Sequence, residues 1–221
     1  MRLVIFDFCD TLVNFQSADS FVRFSLKSDQ RLSSILTLTI DKILKHLRIY
    51  SILSKFGLSN NFQKQILLRG MKGISKAEIN QLALKFHEEV IQKKLNKLIY
   101  RLLVKHISNK DEIIINSGGY DIYLEVFARN LGIQKVYATR FKYINEVFSG
   151  QILGEDCLND EKISRMISDG FDFNNYKEII VYSDSVTDMP LFNIATSKFA
   201  VIKEATTPEW CNSDSFQILK V

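Results

Sequence analysis

Five side chains of this 221-residue chain have the types and positions to share one piece of chemistry: Asp7, Ser117, Lys162, Asp184 and Asp188. Three carboxylates without a matching set of His or Cys are hard oxygen donors of the kind suited to Mg2+. A hydroxyl and an ammonium beside them suit a phosphate, and Lys162 adds the positive charge that three carboxylates and a phosphate dianion need. Asp7 is the candidate centre, because it follows the unbroken apolar run Leu3-Val4-Ile5-Phe6 that carries it out of the interior. Each residue also has a plainer reading: Asp7 and Asp188 as caps, Ser117 as a turn hydroxyl, Lys162 as a solvated helix residue. Their joint placement favours a site.

The surrounding pattern predicts the elements that must position them. Leu3 to Phe6 reads as a strand buried on both faces, and Glu112 to Asn116 as a second strand, followed by a tight loop at Ser117-Gly118-Gly119. A helix is expected over Tyr120 to Leu131, ended by Gly132, then a strand at Val136 to Thr139 and a small β-excursion from Phe141 to Gly154. A helix over Glu161 to Ser168 precedes a strand at Glu178 to Tyr182, and terminal strands are expected at Lys198 to Ile202 and Phe216 to Leu219. This alternation argues an α/β, Rossmann-like three-layer core with a mainly parallel sheet. Such sheets hold ligands beyond the carboxyl ends of their strands, where Asp7, Ser117 and the Asp184/Asp188 pair fall.

Between the first and second strands the apolar period is helical, from after Thr11 to about residue 107, with Phe21, Val22, Phe24 and Leu26, then Ile35, Leu36, Ile40, Ile43, Leu44 and Leu47. Breaks fall at Lys27-Ser28-Asp29, Gly57 to Asn61 and Gly70 to Ser75, and Ser75-Lys76-Ala77-Glu78 has capping-box spacing. The expected division is a core of residues 1–13 and 108–221 and an inserted helical cap of residues 14–107.

Composition excludes several classes. With 46% hydrophobic and 24% charged residues the chain is an ordinary globular one, and its net charge of +4 is scattered, so a nucleic-acid surface is not expected. The cysteines Cys9, Cys157 and Cys211 are an odd, widely spaced set without metal-type pairs or a disulfide framework, and the first residues enter a strand directly, unlike a signal peptide. A cytoplasmic protein is expected. The most membrane-like stretch, Leu32 to Ile40, is far shorter than the roughly 20 residues needed to cross a bilayer, so no membrane partner is expected.

The motifs together resemble the haloacid dehalogenase superfamily, and within it the phosphoserine phosphatase-like subclass. The first motif is matched by Asp7-Phe8-Cys9-Asp10-Thr11-Leu12 and the second by Ser117 in Ile115 to Asp121. Lys162 matches the third, and Ser183-Asp184-Ser185-Val186-Thr187-Asp188-Met189-Pro190 the fourth. The resemblance covers nearly the whole chain and implies a Mg2+-dependent phosphatase acting on a small phosphorylated metabolite. It implies that Asp7 attacks phosphorus to form an aspartyl-phosphate that water then hydrolyses. It also implies metal ligation by Asp7, the backbone carbonyl of Cys9, Asp184 and Asp188, the last directly or through water. Ser117 and the backbone at Gly118 would bind a phosphoryl oxygen, and Lys162 would stabilise the charge on Asp7 and phosphate.

Cys9, Ser183 and Gln16 depart from that pattern: Ser183 stands where the family usually has Gly before the metal-binding Asp, and Asp10 occupies the family's Gly or Ser position after Cys9. The family's phosphatases carry a second Asp two residues after the nucleophile, as general acid and base, and this chain has Cys9 there. A thiol of ordinary pKa about 8.5 can donate a proton at neutral pH but is a poor base. The alternatives are a slower or differently assisted phosphatase, with Asp10, a cap group or the substrate supplying the proton; a phosphotransferase; or a phospho-ligand-binding regulatory protein. A buried space-filling Cys9 is favoured over a thiol nucleophile, and His46, His87 and His106 are read as surface or packing residues. The position that recognises the substrate amine in phosphoserine phosphatases is matched by neutral Gln16, which argues against free phosphoserine. Gln16 to Asp19, Lys64 and Arg69 are further candidates for the pocket wall.

Overall fold

A computed structural model of the chain describes residues 1–29, 31–55, 59–203 and 206–221. Its centre is strand β1 (Arg2–Phe6), whose Leu3, Val4, Ile5 and Phe6 are fully buried. β1 is flanked in parallel by β2 (Glu112–Tyr120) and β5 (Glu178–Ser183). With β3 (Lys135–Ile144), β4 (Val147–Leu153), β6 (Ser197–Ile202) and β7 (Phe216–Lys220) they form one sheet of order β4-β3-β2-β1-β5-β6-β7. β4 alone is antiparallel among the described strands, closing the hairpin with β3 that the β-excursion predicts. Strand order reverses at β1, so a crevice opens at its carboxyl end.

Alternation along β1 divides the core in two. Val4 and Phe6 face helices α1 (Ser17–Ser28), α5 (Lys76–Phe86), α6 (Lys97–Ser108) and α7 (Asp121–Asn130), whereas Leu3 and Ile5 face α8 (Glu161–Ser168) and α9 (Met189–Ile194). These are the three layers expected of the α/β core. The segment between β1 and β2 also contains α2 (Leu32–His46), α3 (Ile49–Ser54) and α4 (Ser59–Gly70), with a π turn at His87–Ile91 after α5. Ser75 and Glu78 form the expected capping box: the Glu78 amide donates to Ser75 Oγ at 3.2 Å, and the Ser75 amide donates to Glu78 Oε2 at 2.9 Å. Gly57 and Leu58 of the expected break lie outside the described residues. No helix among the described residues is long and apolar enough to cross a membrane.

Two local expectations are corrected. Ser117-Gly118-Gly119 is not a free loop but part of β2, where the register jumps from Ser117 opposite Ala138 to Tyr120 opposite Thr139. The bulge is held because Thr139 Oγ1 donates to the Gly118 carbonyl at 3.1 Å, and a Cβ at Gly119 would collide with the Tyr123 hydroxyl. The following helix starts at Asp121 rather than Tyr120 and stops at Asn130, with Gly132 at φ +73° closing it in the left-handed conformation. Helix α2 has the expected helical period, and the structure shows which way its apolar positions face: Ile35, Leu36, Ile40, Ile43 and Leu47 point outward, Leu38 packs against the core, and Ser34 and Asp41 are buried. The inward face is held by polar bonds, with Asp41 accepting from Arg23 Nη1 at 2.5 Å, Gln63 Nε2 at 3.0 Å and the Tyr50 hydroxyl at 3.1 Å.

Candidate active site

Asp7 leaves the end of β1 still buried, and its backbone amide donates to the Tyr182 carbonyl at 2.9 Å, continuing the β1–β5 pairing past the last strand residue. Lys162, the second residue of α8, is buried against it. Its Nζ donates to Asp7 Oδ1 at 2.9 Å and lies 2.6 Å from Asp188 Oδ1, an ion pair without hydrogen-bond alignment on the second carboxylate. Asn116 anchors this end of α8 by donating from Nδ2 to the Lys162 carbonyl at 3.0 Å. Burial alone would lower the Lys162 pKa, but the charges of Asp7 and Asp188 outweigh it and hold the ammonium above its usual range. Lys142 and Lys177, nearby in sequence, have no such position: Lys142 sits in the β3–β4 hairpin and Lys177 precedes β5.

The fourth-motif residues arrive from the end of β5. Thr11 Oγ1 donates to Asp184 Oδ1 at 3.0 Å and accepts from the Asp184 amide at 3.1 Å, tying the two loops together. Asp188 is buried and takes the Ser183 hydroxyl on Oδ2 at 2.6 Å. Thus Ser183, at the family's usual Gly position, has a defined bond of its own. Burial, opposed by Lys162, pushes the Asp7 carboxyl up to about 6. Burial and then the Asp7 charge push Asp184 up to about 7. These clustered acids lack sufficient positive charge, and with oxygen donors alone they fit a hard divalent cation. Among the described residues no three His, Cys, Asp or Glu close on one point as a formed cage.

Asp7, Cys9, Gln16, Ser117, Gly118, Lys162, Asp184 and Asp188 all line one cavity of about 590 Å3. Helices α1 and α4 supply its other wall through Ala18, Asp19, Val22, Gln63, Lys64 and Leu67. Of the further candidates, Lys64 reaches the cavity and pairs with Asp156, while Arg69 does not line it and the Ser17 side chain turns aside. Cys9 Sγ lies 2.9 Å from Ser17 Oγ, which lies 2.6 Å from the Tyr123 hydroxyl. Burial and the Asp7 charge raise the Cys9 pKa, so it stays a thiol. Asp10 is directed elsewhere: at φ +55° its carboxylate takes the Gln16 amide and the Lys203 ammonium. A left-handed residue fits the Gly or Ser position it occupies in the first motif. His106 is a packing residue between Asp111 at 2.7 Å and the Tyr182 hydroxyl at 3.0 Å.

The roles of Thr11, Asn116, Asp156 and Tyr123 had no signal in the sequence, because each acts through a partner distant in the chain.

The family model for haloacid dehalogenase-like hydrolases matches residues 4–193. The chain is 25% identical over 203 residues to the phosphoserine phosphatase of Campylobacter jejuni subsp. doylei, covering 90% of this chain and 86% of that protein. It is 21% identical over 223 residues to the histidinol-phosphatase of Neisseria meningitidis serogroup C, covering 99% and 98%. The chain spans 44% of the length of two Mycobacterium tuberculosis proteins that it matches at 25% identity, one of them the phosphoserine phosphatase SerB1. In fold it is similar to a protein of unknown function from Bordetella pertussis Tohama I, with a TM-score of 0.79, 20% identity and coverage of 99% and 98%. With a family match over most of the chain, this fold and these four motifs at one crevice, the protein belongs to the haloacid dehalogenase-like hydrolases, an enzyme family, and within it is similar to the phosphoserine phosphatases.

Proposed function

We propose that the protein is a Mg2+-dependent phosphatase hydrolysing a small phosphate monoester through an aspartyl-phosphate on Asp7. The observation that carries this reading is the buried Lys162 ammonium between Asp7 and Asp188 on the wall of the cavity. A lysine held there keeps Asp7 ionised yet leaves it beside space where a phosphoryl group fits. Asp7 attacks phosphorus, the ester P–O bond breaks, and the leaving alkoxide takes a proton. Water then attacks phosphorus, releasing inorganic phosphate and restoring the carboxylate. Ser117 and the backbone at Gly118 orient the phosphoryl oxygens, and Lys162 balances their charge. Asp7, the Cys9 carbonyl, Asp184 and Asp188 would hold Mg2+, and Lys162 and Ser183 already engage the Asp188 oxygens. The ion supplies charge neutralisation on the phosphate.

Residues 14–107 serve in this reading as a cap over a core of residues 1–13 and 108–221. The cap-side wall mixes Val22 and Leu67 with Asp19, Gln63 and the Lys64–Asp156 pair, which suits an ester with both apolar and polar parts. Relatives named for phosphoserine and histidinol phosphate support an ester of an amino alcohol, and neutral Gln16 disfavours free phosphoserine. The protonated Cys9 thiol, on the cavity wall, is a candidate proton donor. A second reading, transfer to an acceptor other than water, is favoured by one observation: Asp10 is occupied by Lys203 and Gln16, so it does not replace the missing base.

The test is phosphate release from a broad panel of phosphate monoesters with and without Mg2+, with Asp7→Asn in parallel. Metal-dependent release that Asp7→Asn abolishes is expected. No release on any ester, from protein that binds Mg2+ and phosphate mimics, would overturn hydrolysis in favour of transfer or binding.

A further inference from the structure

Helix α2 is turned inside out relative to an ordinary surface helix. Leu32, Ile35, Leu36, Ile40, Ile43 and Leu47 follow one another at helical spacing and are 47% to 70% exposed, whereas the buried positions are Ser34 and Asp41. The inversion is built in rather than incidental. Asp41 is bound by Arg23, Tyr50 and Gln63 on the inner side, and a Cβ at Gly70 of α4 would meet the Thr37 side chain at 2.6 Å, so α2 lies tightly on its neighbours with that face inward. A continuous exposed apolar stripe marks a contact surface.

Charge decides what covers it. From Leu32 to Lys55 the sequence carries Lys42, Lys45, Arg48 and Lys55 and a single acid, Asp41, which is buried. Lys42, His46 and Arg48 are exposed around the C-terminal half of the stripe, while Lys45, also exposed, pairs with Asp41. A second copy of this chain laid on the same face would bring these cations together with no exposed acid of that segment to meet them. An anionic bilayer surface satisfies both features, taking the apolar stripe at its acyl boundary and the cations at its head groups. We propose that the outward face of α2 docks the protein on an anionic lipid surface, with the helix lying in the interface and not crossing it. This amends the expectation of no membrane partner, which rested on the length needed to span. The stripe needs only to lie along the surface.

The experiment is cosedimentation of the full chain with vesicles of phosphatidylcholine alone and of phosphatidylcholine mixed equally with phosphatidylglycerol, together with its mass by light scattering. Expected is binding at least about tenfold stronger to the anionic vesicles, lost at about 0.5 M salt. Ile40→Glu and Ile43→Glu, on the exposed side and away from the cavity, are expected to abolish binding while leaving the circular dichroism spectrum and phosphate release unchanged. Absence of binding to anionic vesicles, or equal binding to both kinds, overturns the proposal. A dimer that Ile43→Glu converts to a monomer, without vesicle binding, overturns it and assigns the face to a second copy.

Discussion

Cys9 Sγ lies 2.9 Å from Ser17 Oγ, so the residue standing where the family's phosphatases have their second Asp is joined to α1 and, through Ser17, to the buried Tyr123 hydroxyl. An Asp at position 9 would find the same hydroxyl as a donor. Cys9→Asp is therefore expected to fold and to raise the rate of phosphate release by about tenfold or more, since a general acid-base group contributes about 10²- to 10⁴-fold. Steady-state turnover on the best ester of the panel measures it. An unchanged rate would mean that another group activates water.

Lys162 is the sole cation in contact with both Asp7 and Asp188 among the described residues. Lys162→Met leaves two buried carboxylates facing each other and is expected to lower stability by about 3 kcal/mol, because breaking a buried ion pair strands its partner charge. Urea denaturation at neutral pH reads the loss. Turnover should fall to background, and added Mg2+ should restore part of the stability without restoring the rate.

The two bonds between Thr11 and Asp184 hold the carboxylate in one orientation. Thr11→Val keeps the side-chain shape and removes both. The expected result is about tenfold weaker Mg2+ binding by calorimetric titration, matching the ~1.4 kcal/mol that two modest hydrogen bonds can supply. Unchanged affinity would show that Asp184 needs no such support.

Burial pushes the Asp121 carboxyl, at the start of α7, from its ordinary 3.8 up to about 6. An acid raised in the folded state holds its proton more tightly there than in the unfolded chain. Its contribution to stability therefore falls as pH rises from about 4 to about 6, and the penalty is complete above that. Asp121→Asn removes the penalty. Denaturation midpoints should coincide near pH 4, then diverge in favour of the variant by about 1–2 kcal/mol at pH 7.

Much of the core was legible because its signals are local. The strand at Leu3 to Phe6 and the helix at Glu161 to Ser168 are read from neighbours a few residues away, and the structure gives β1 from Arg2 and α8 with those bounds. The Ser117 to Gly119 segment was misread because glycines signal turns, while here they permit a bulge held by Thr139. In α2 the helical period was legible and its direction was not. Periodicity locates an apolar face, but the Asp41 network decides which way that face points.

The sequence by itself determined the α/β class, the family and the set of residues carried to strand ends, since apolar runs and short motifs are properties of contiguous chain. Tertiary structure alone decided which lysine enters the site, that Asp10 turns away to Lys203, that Cys9 is linked to Tyr123, and that α2 presents its apolar side to the outside. The physical reason is separation along the chain. Lys162 and Asp7 are 155 residues apart, and the burial and charge pairing that give each group its properties exist only when the sheet brings such residues together.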